Sequence, residues 1–208
     1  MKETQSLIIT IGRQFGSGGR GVAKILSEKY GIPLYDKELI NRVSRETGIC
    51  NEVFSTCDEC TNNYPNSSLL GGWSLSTLFS TTNRDMLSGD SLFAMQSETI
   101  RRIASEGPCV IVGRRADQIL KDRENLFRVF ITAPLNARVQ HVMEREGLSE
   151  QESREKILRV DKERARYYDA FALAKWGGAD NYDLCVDTTK VGMQRTVDMI
   201  TNLVMNLS

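Results

Sequence analysis

The stretch "IITIGRQFGSGGRGVAKIL", residues 8–26, decides the fold. An apolar, β-branched run precedes five glycines packed into the ten positions Gly12–Gly21, and an amphipathic stretch follows. Glycine costs backbone entropy that ordinary connections avoid, so it is used where positive φ or close approach of another group is needed. A strand ending at Gly12, a glycine-rich turn and a helix from about residue 18 have the layout of a phosphate cradle. Amides of such a turn point inward, and the helix N-terminus adds roughly half a positive charge. The cradle residues are Gly16, Ser17, Gly18, Gly19, Arg20 and Gly21, with Arg20 placed at the helix start to reach the outer phosphates. The plain alternative is a tight corner; its place after the first strand and the basic residue closing it favour the anion. The strict pattern G-x-x-x-x-G-K-[ST] is absent.

Outward from this turn, short apolar runs alternate with helical patterns. Strands are expected at Leu7–Gly12, Pro33–Asp36, Cys109–Gly113, Phe127–Thr132 and Asp183–Asp187. Helices are expected at about 18–30, 37–47, 91–106, 115–122, 135–146, 150–174 and 191–205. Runs such as "CVIVG" and "FRVFIT" lack polar alternation, as strands covered on both faces do. The alternation therefore predicts an α/β fold with a parallel sheet between helices. In the last helix, Val197, Ile200 and Val204 share one face and read as packing. Residues 50–90 break the pattern, being rich in Ser, Thr and Asn. A connection this long is either a mobile insertion or a substrate cap, with Trp73 or Phe79 offering a flat face to a ring.

The chain has 208 residues, 40% of them hydrophobic, with 27 basic residues against 27 acidic. Zero net charge draws it to neither nucleic acid nor membrane, so any basic site is local. No stretch approaches the ~18 apolar residues of a membrane span. The apolar run Leu7–Ile11 is too short for a signal segment. A cytoplasmic location is expected. Five cysteines suit a reducing compartment, and Cys109 and Cys185, in apolar runs, read as buried thiols. "CDEC" at 57–60, with Cys50 upstream, has metal-ligand spacing, but the single histidine, His141, is remote, and no residue is assigned as a metal ligand.

Two basic clusters follow. "VIVGRRADQIL" ends a strand with Arg114 and Arg115, where ligands bind in parallel sheets. From Ser149 onward, Glu150–Arg154, Glu152–Lys156 and Glu155–Arg159 are acid-before-base pairs at i,i+4, each worth ~0.3–0.5 kcal/mol. Farther on, Lys162–Arg166 and Arg159–Lys162 are like charges at helical spacing, repulsive unless an anion lies between them. This segment reads as a plain charged helix or as a lid over polyphosphate.

Three segments, "TIGRQFGSGGRGVAKILSEKYGIPLYDKELI", "GPCVIVGRRADQIL" and "LRVDKERARYY", together resemble the cytidylate-kinase-like family, a divergent branch related to bacterial cytidylate kinase. The resemblance covers nearly the whole chain apart from roughly 50–90. It implies a single three-layer P-loop NTPase domain over 1–208 with a five-stranded parallel sheet. It also implies a monophosphate-binding region at 37–105 and a helical lid at 147–180. Against the family's G-x-x-G-x-G-K-G loop, Gln14 stands at the first glycine and Arg20 at the lysine, and Val22 replaces a threonine. In "YDKELINR" the resemblance gives Arg42 the acceptor phosphate, and gives Asp36 the attacking oxygen or a magnesium-bound water. Asp36 also reads as a helix cap, and the two roles are compatible. Arg114 matches an arginine that contacts the acceptor nucleotide, with Arg115 beside it. Val112 and Arg115 replace the acids flanking that arginine, and Asp117 is the nearest carboxylate able to substitute. Asp161 and Arg164 match a D-x-x-R lid segment, for a sugar hydroxyl and a bridging phosphate. The implied function is ATP- and magnesium-dependent phosphoryl transfer to a nucleoside monophosphate, cytidylate-like, or a related small phosphorylated acceptor. The alternative is a nucleotide-binding sensor that keeps the fold without the chemistry, favoured by the missing lysine, by Val112 and by Val22. Nucleic acid binding is disfavoured by the balanced charge.

Overall fold

Alternation along the first strand, β1 (Ile8–Arg13), sets the layers: Ile9 and Ile11 face one side of the sheet and Ile8 the other. The computed structural model describes residues 7–36, 89–170 and 174–205. In it β1 lies at the centre of a sheet with β2 (Leu34–Tyr35), β3 (Cys109–Val112), β4 (Leu126–Thr132) and β5 (Leu184–Asp187). The order is β2-β3-β1-β4-β5, and every pairing is parallel. This is the five-stranded parallel sheet that the alternation predicts.

On one face, α1 (Gly19–Tyr30) and α7 (Met193–Met205) bring Val22, Leu26, Val197 and Ile200 onto Ile9, Ile11, Val110 and Val129. On the other, α2 (Gly89–Glu106) and the single turn α3 (Ala116–Ile119) cover Ile8, Cys109 and Ile111 with Ile100, Ile103 and Ala116. A third cluster joins α4 (Leu135–Glu146) to α5 (Glu150–Asp169) through Val139, Val142 and Ile157, with Phe15 of the glycine turn packed against it. Ser149 and Glu152 close a capping box at the start of α5. The loop is thus held between the sheet and a helical hairpin.

Several expectations need correction. The helix expected at 115–122 is one turn, Ala116–Ile119, and starts one residue late because Arg115, its N-cap, takes φ of 56° in the left-handed region, as Arg114 does at 60°. α5 ends at Asp169 rather than 174, where the Asp169 carboxylate accepts from the Trp176 N–H at 2.9 Å. The last helix, expected from about 191, begins at Met193 as α7, after a separate single turn, α6 (Thr188–Val191), that ends at Gly192 (φ 82°). Cys109 is buried, and burial pushes its thiol up to about 12. Cys185 is exposed instead: on edge strand β5 the core takes Val186, and its neighbour faces outward. The expected helix at 37–47, Arg42, Cys50, Cys57, Cys60, Trp73 and Phe79 lie outside the described residues.

β4 and β5 are clamped at their start by a bidentate pair, Arg128 Nη2 to Asp183 Oδ1 at 2.6 Å and Nε to Oδ2 at 3.2 Å. Burial raises the Asp183 carboxyl, but the hydrogen bonds and charge of Arg128 outweigh it and leave the pKa lowered. A depressed acid contributes stability that is complete above its unfolded value, near ~4, and is lost as pH falls through the lower folded value. Asp183→Asn is therefore expected to melt below wild type at neutral pH, with the gap closing under strong acid. Thermal melts across pH 2–8 measure it.

Candidate active site

From Arg13 to Gly18, six successive loop carbonyls each accept a hydrogen bond. Arg164 Nη1 donates to Arg13 O at 3.2 Å, Ser17 Oγ to Gln14 O at 2.9 Å and Arg138 Nη1 to Phe15 O at 3.2 Å. His141 Nδ1–H donates to Gly16 O at 2.9 Å, Thr188 Oγ1 to Ser17 O at 2.7 Å and Val22 N to Gly18 O at 3.1 Å. The His141 tautomer follows, since a carbonyl only accepts. By contrast, the amides of Gly16, Gly18, Gly19, Arg20 and Gly21 have no partner among the described residues. Gly16 and Gly18 take φ of 79° and 81°, and Gly18 caps α1 without a side-chain hydrogen bond. A turn whose carbonyls are engaged and whose amides are left over has the donor set with which an anion could be held.

Gln14, at the first-glycine position, fastens the loop to the end of β4: its Oε1 accepts from Thr132 Oγ1 at 2.5 Å and from Ala133 N at 3.2 Å. Phe15 is fixed from three directions. Its N–H donates to Asp161 Oδ1 at 2.7 Å, and its carbonyl takes Arg138. Its ring has Arg145 at 5.2 Å, Arg164 at 5.5 Å and Lys156 at 5.9 Å from the centroid.

At the mouth of the turn, Arg20 Nε meets Asp36 Oδ2 at 3.2 Å, with the Arg20 side chain 65% exposed and that of Asp36 13%. Asp36 Oδ1 faces a second guanidinium, Arg13 Nη2, at 3.8 Å. Across the sheet ends lies a pocket lined by Arg13, Arg114, Arg115, Arg164, Asp117 and Tyr168, among others. Burial lowers Arg114 to about 10 and lowers Arg115 as well. Arg115 lies 4.7 Å from the Phe93 ring centroid, a cation–π contact. Two consecutive arginines in left-handed backbone cost ~1–2 kcal/mol each, strain that recurs at ligand sites. Asp117 is buried, and burial raises its carboxyl, partly offset by the Tyr168 hydroxyl that donates to it at 2.5 Å.

The sequence-predicted residues thus divide. Arg20 and Asp36 meet at the loop, and Arg114, Arg115, Asp117 and Arg164 line one pocket. Asp161 lies at the loop but outside that lining, holding Phe15 and Arg138. Arg138, His141 and Thr188 escape sequence reading because each acts from a distant element. Arg13 carried a signal, a charge on the last residue of the central strand. For magnesium, no group of three or more His, Cys, Asp or Glu side chains is placed to hold a metal ion among the described residues. Asp36, at the loop mouth, is shared by Arg20 and Arg13. Val22 offers no hydroxyl, and Ser17 donates its own to main-chain carbonyls.

The sequence model of the cytidylate kinase-like family matches residues 8–190. The chain is 24% identical over 204 residues to cytidylate kinase of Methanopyrus kandleri, covering 94% of this chain and 91% of that one. A 33% identical match over 132 residues to uronate isomerase of Corynebacterium glutamicum covers 60% of this chain and 25% of that protein, so the chain spans a quarter of that relative's length. Among solved structures, an uncharacterized protein from Eubacterium ventriosum superposes with TM-score 0.71 at 32% identity, over 95% of this chain and 98% of that one. Shikimate kinase from Bacteroides thetaiotaomicron superposes with TM-score 0.55 at 11% identity, over 96% and 98%, a likeness of fold alone.

Proposed function

This chain belongs to the cytidylate kinase-like family, and on that footing we propose that it is an ATP-dependent phosphotransferase. Its acceptor is a nucleoside monophosphate, cytidylate-like, or a related small phosphorylated compound. An acceptor phosphate oxygen bonds to the terminal phosphorus of ATP while the bond to the bridging oxygen breaks, giving ADP and a diphosphate. Such transfer calls for positioning and charge stabilisation rather than covalent chemistry. The observation that supports the reading is that five loop amides have no partner among the described residues beside six carbonyls that all have one.

In this reading Gly16 to Gly21 hold the donor phosphates, with Arg20 at the rim. Arg114 and Arg115, together with Arg42, take the acceptor. Asp117 sets the far wall of the acceptor pocket, and Arg164 spans the two sites from α5. Asp161 fixes the loop on which they converge. Magnesium carried in with the nucleotide would neutralise phosphate charge, and Asp36 would be the carboxylate to hold it through water. Helices long and apolar enough to cross a membrane are absent among the described residues.

The test is thermal-shift screening of nucleoside mono- and triphosphates with magnesium, followed by an ADP-release assay on the compounds that stabilise. Stabilisation by ATP and by at least one monophosphate, with ADP released from the pair, is expected. Arg20→Ala is expected to lower turnover ~10-fold, less than the ~100-fold of a shielded donor because its side chain is 65% exposed and screened by solvent. The regulatory alternative rests on Val22 and on the Arg20–Asp36 pair. Stabilisation by ATP without ADP release across the whole panel selects it.

A further inference from the structure

We infer that Arg13, the last residue of β1, is a catalytic cation that meets the phosphoryl group in transit between donor and acceptor. The inference rests on the phosphotransferase reading and adds a residue to it. The Arg13 side chain crosses from the start of α1 to the end of β3, and two glycines are bare along its path. A Cβ on Gly19 would lie 2.6 Å from Arg13 Cβ, and one on Gly113 would collide with the Arg13 guanidinium. Its tip lines the same pocket as Arg114, Arg115 and Arg164, while its own carbonyl holds Arg164 Nη1 at 3.2 Å.

Asp36 divides two guanidiniums, Arg20 on Oδ2 and Arg13 towards Oδ1. They are not equivalent. The Arg20 side chain is 65% exposed and that of Arg13 16%. A shielded charge acts through a lower effective dielectric and is screened less by salt, so it stabilises developing negative charge more strongly. A guanidinium also presents a planar fork to two phosphoryl oxygens, which an ammonium cannot do. Because it is anchored on the central strand rather than on a loop or lid, Arg13 is already in place before any closure. The rival is a strut that keeps Asp36 and the β3 end apart and touches no substrate.

The deciding measurements compare wild type with Arg13→Gln, Arg13→Lys and Arg13→Ala in the full chain. Arg13→Gln is expected to lower kcat ~100-fold while KM for ATP stays within about threefold. ADP alone should still stabilise Arg13→Gln, whereas the extra stabilisation that wild type gains from ADP with aluminium fluoride, which mimics the phosphoryl in flight, should be lost. Arg13→Lys should recover about tenfold of the lost rate, and free guanidinium ions should restore part of the rate of Arg13→Ala. A strut would give neither the fluoride signature nor the rescue. Arg13→Gln with kcat within threefold of wild type, or with an unchanged aluminium fluoride response, overturns the inference and leaves the kinase reading standing. Absence of any nucleotide-dependent stabilisation or turnover in wild type overturns both.

Discussion

Replacing Gly19 with alanine is expected to abolish nucleotide-dependent stabilisation and to lower turnover at least ~1,000-fold, because several cradle donors move at once and each is worth ~100-fold or more. The added Cβ would lie 2.6 Å from Arg13 Cβ and 3.3 Å from Ile131 Cβ. Neither atom is the free end of a flexible chain; both belong to central strands. The loop and the first turn of α1 must therefore lift off the sheet. Overpacking of this kind costs ~1–3 kcal/mol in stability, or a few degrees in melting temperature. Gly31→Ala is the control. Gly31 has φ of 63° with nothing within 4 Å of an added Cβ, so that variant bears only the backbone cost and should keep full nucleotide response. A Gly19→Ala protein that is still stabilised by ATP to the wild-type extent would place the anion elsewhere.

Asp161→Ala should be the most destabilising single change at the site, by ~2–4 kcal/mol. Asp161 Oδ2 pairs with Arg138 Nη1 at 2.5 Å, with the two side chains 14% and 8% exposed. Its other oxygen takes the Phe15 amide at 2.7 Å. Truncation strands the Arg138 charge, whose Nε already lacks a partner, and leaves a part-buried amide unbonded. The figure falls short of the full loss for a buried pair because Arg138 keeps the Phe15 carbonyl. Asp161→Asn should cost less, since the amide oxygen still accepts from Phe15. Combining Asp161→Ala with Arg138→Met should cost less than the sum of the single changes, because no charge is then stranded. Urea denaturation of the four proteins reads this out, and additive losses would show that the two side chains do not act as a pair. The ATP affinity of Asp161→Ala should also fall, because the first half of the cradle loses its tie to α5.

The strands were legible because each is a short apolar run bounded by turn residues, and "IITIGR" or "FRVFIT" has no other stable place than between two helical layers. The glycine turn was legible for a similar local reason: positive φ at Gly16 and Gly18 is a demand that one residue type meets cheaply. Features that depend on an element's neighbours were not. "LCV" is an apolar run, yet Cys185 is exposed because on edge strand β5 Val186 takes the core-facing side and its neighbour points to the other face. "RADQIL" reads as the start of a helix at 115, but Arg115, like Arg114 before it, is held left-handed at the pocket.

For the candidate site, the conformation of the glycine turn and the charge of the arginine clusters were determined by the sequence alone, since backbone freedom and charge spacing are properties of short segments. Which partner each charge meets was decided only by tertiary structure. Asp161 and Arg164 are three residues apart on one helix, yet the packing of α4 against α5 gives Asp161 the loop's amide and Arg138, and gives Arg164 a place in the pocket. Arg13 and Gly113 are a hundred residues apart in sequence and meet because β1 and β3 pair in parallel with Ile11 opposite Val112. Local sequence fixes φ, ψ and charge; the register of the sheet and the packing of helices fix distance, and the proposed chemistry depends on distance.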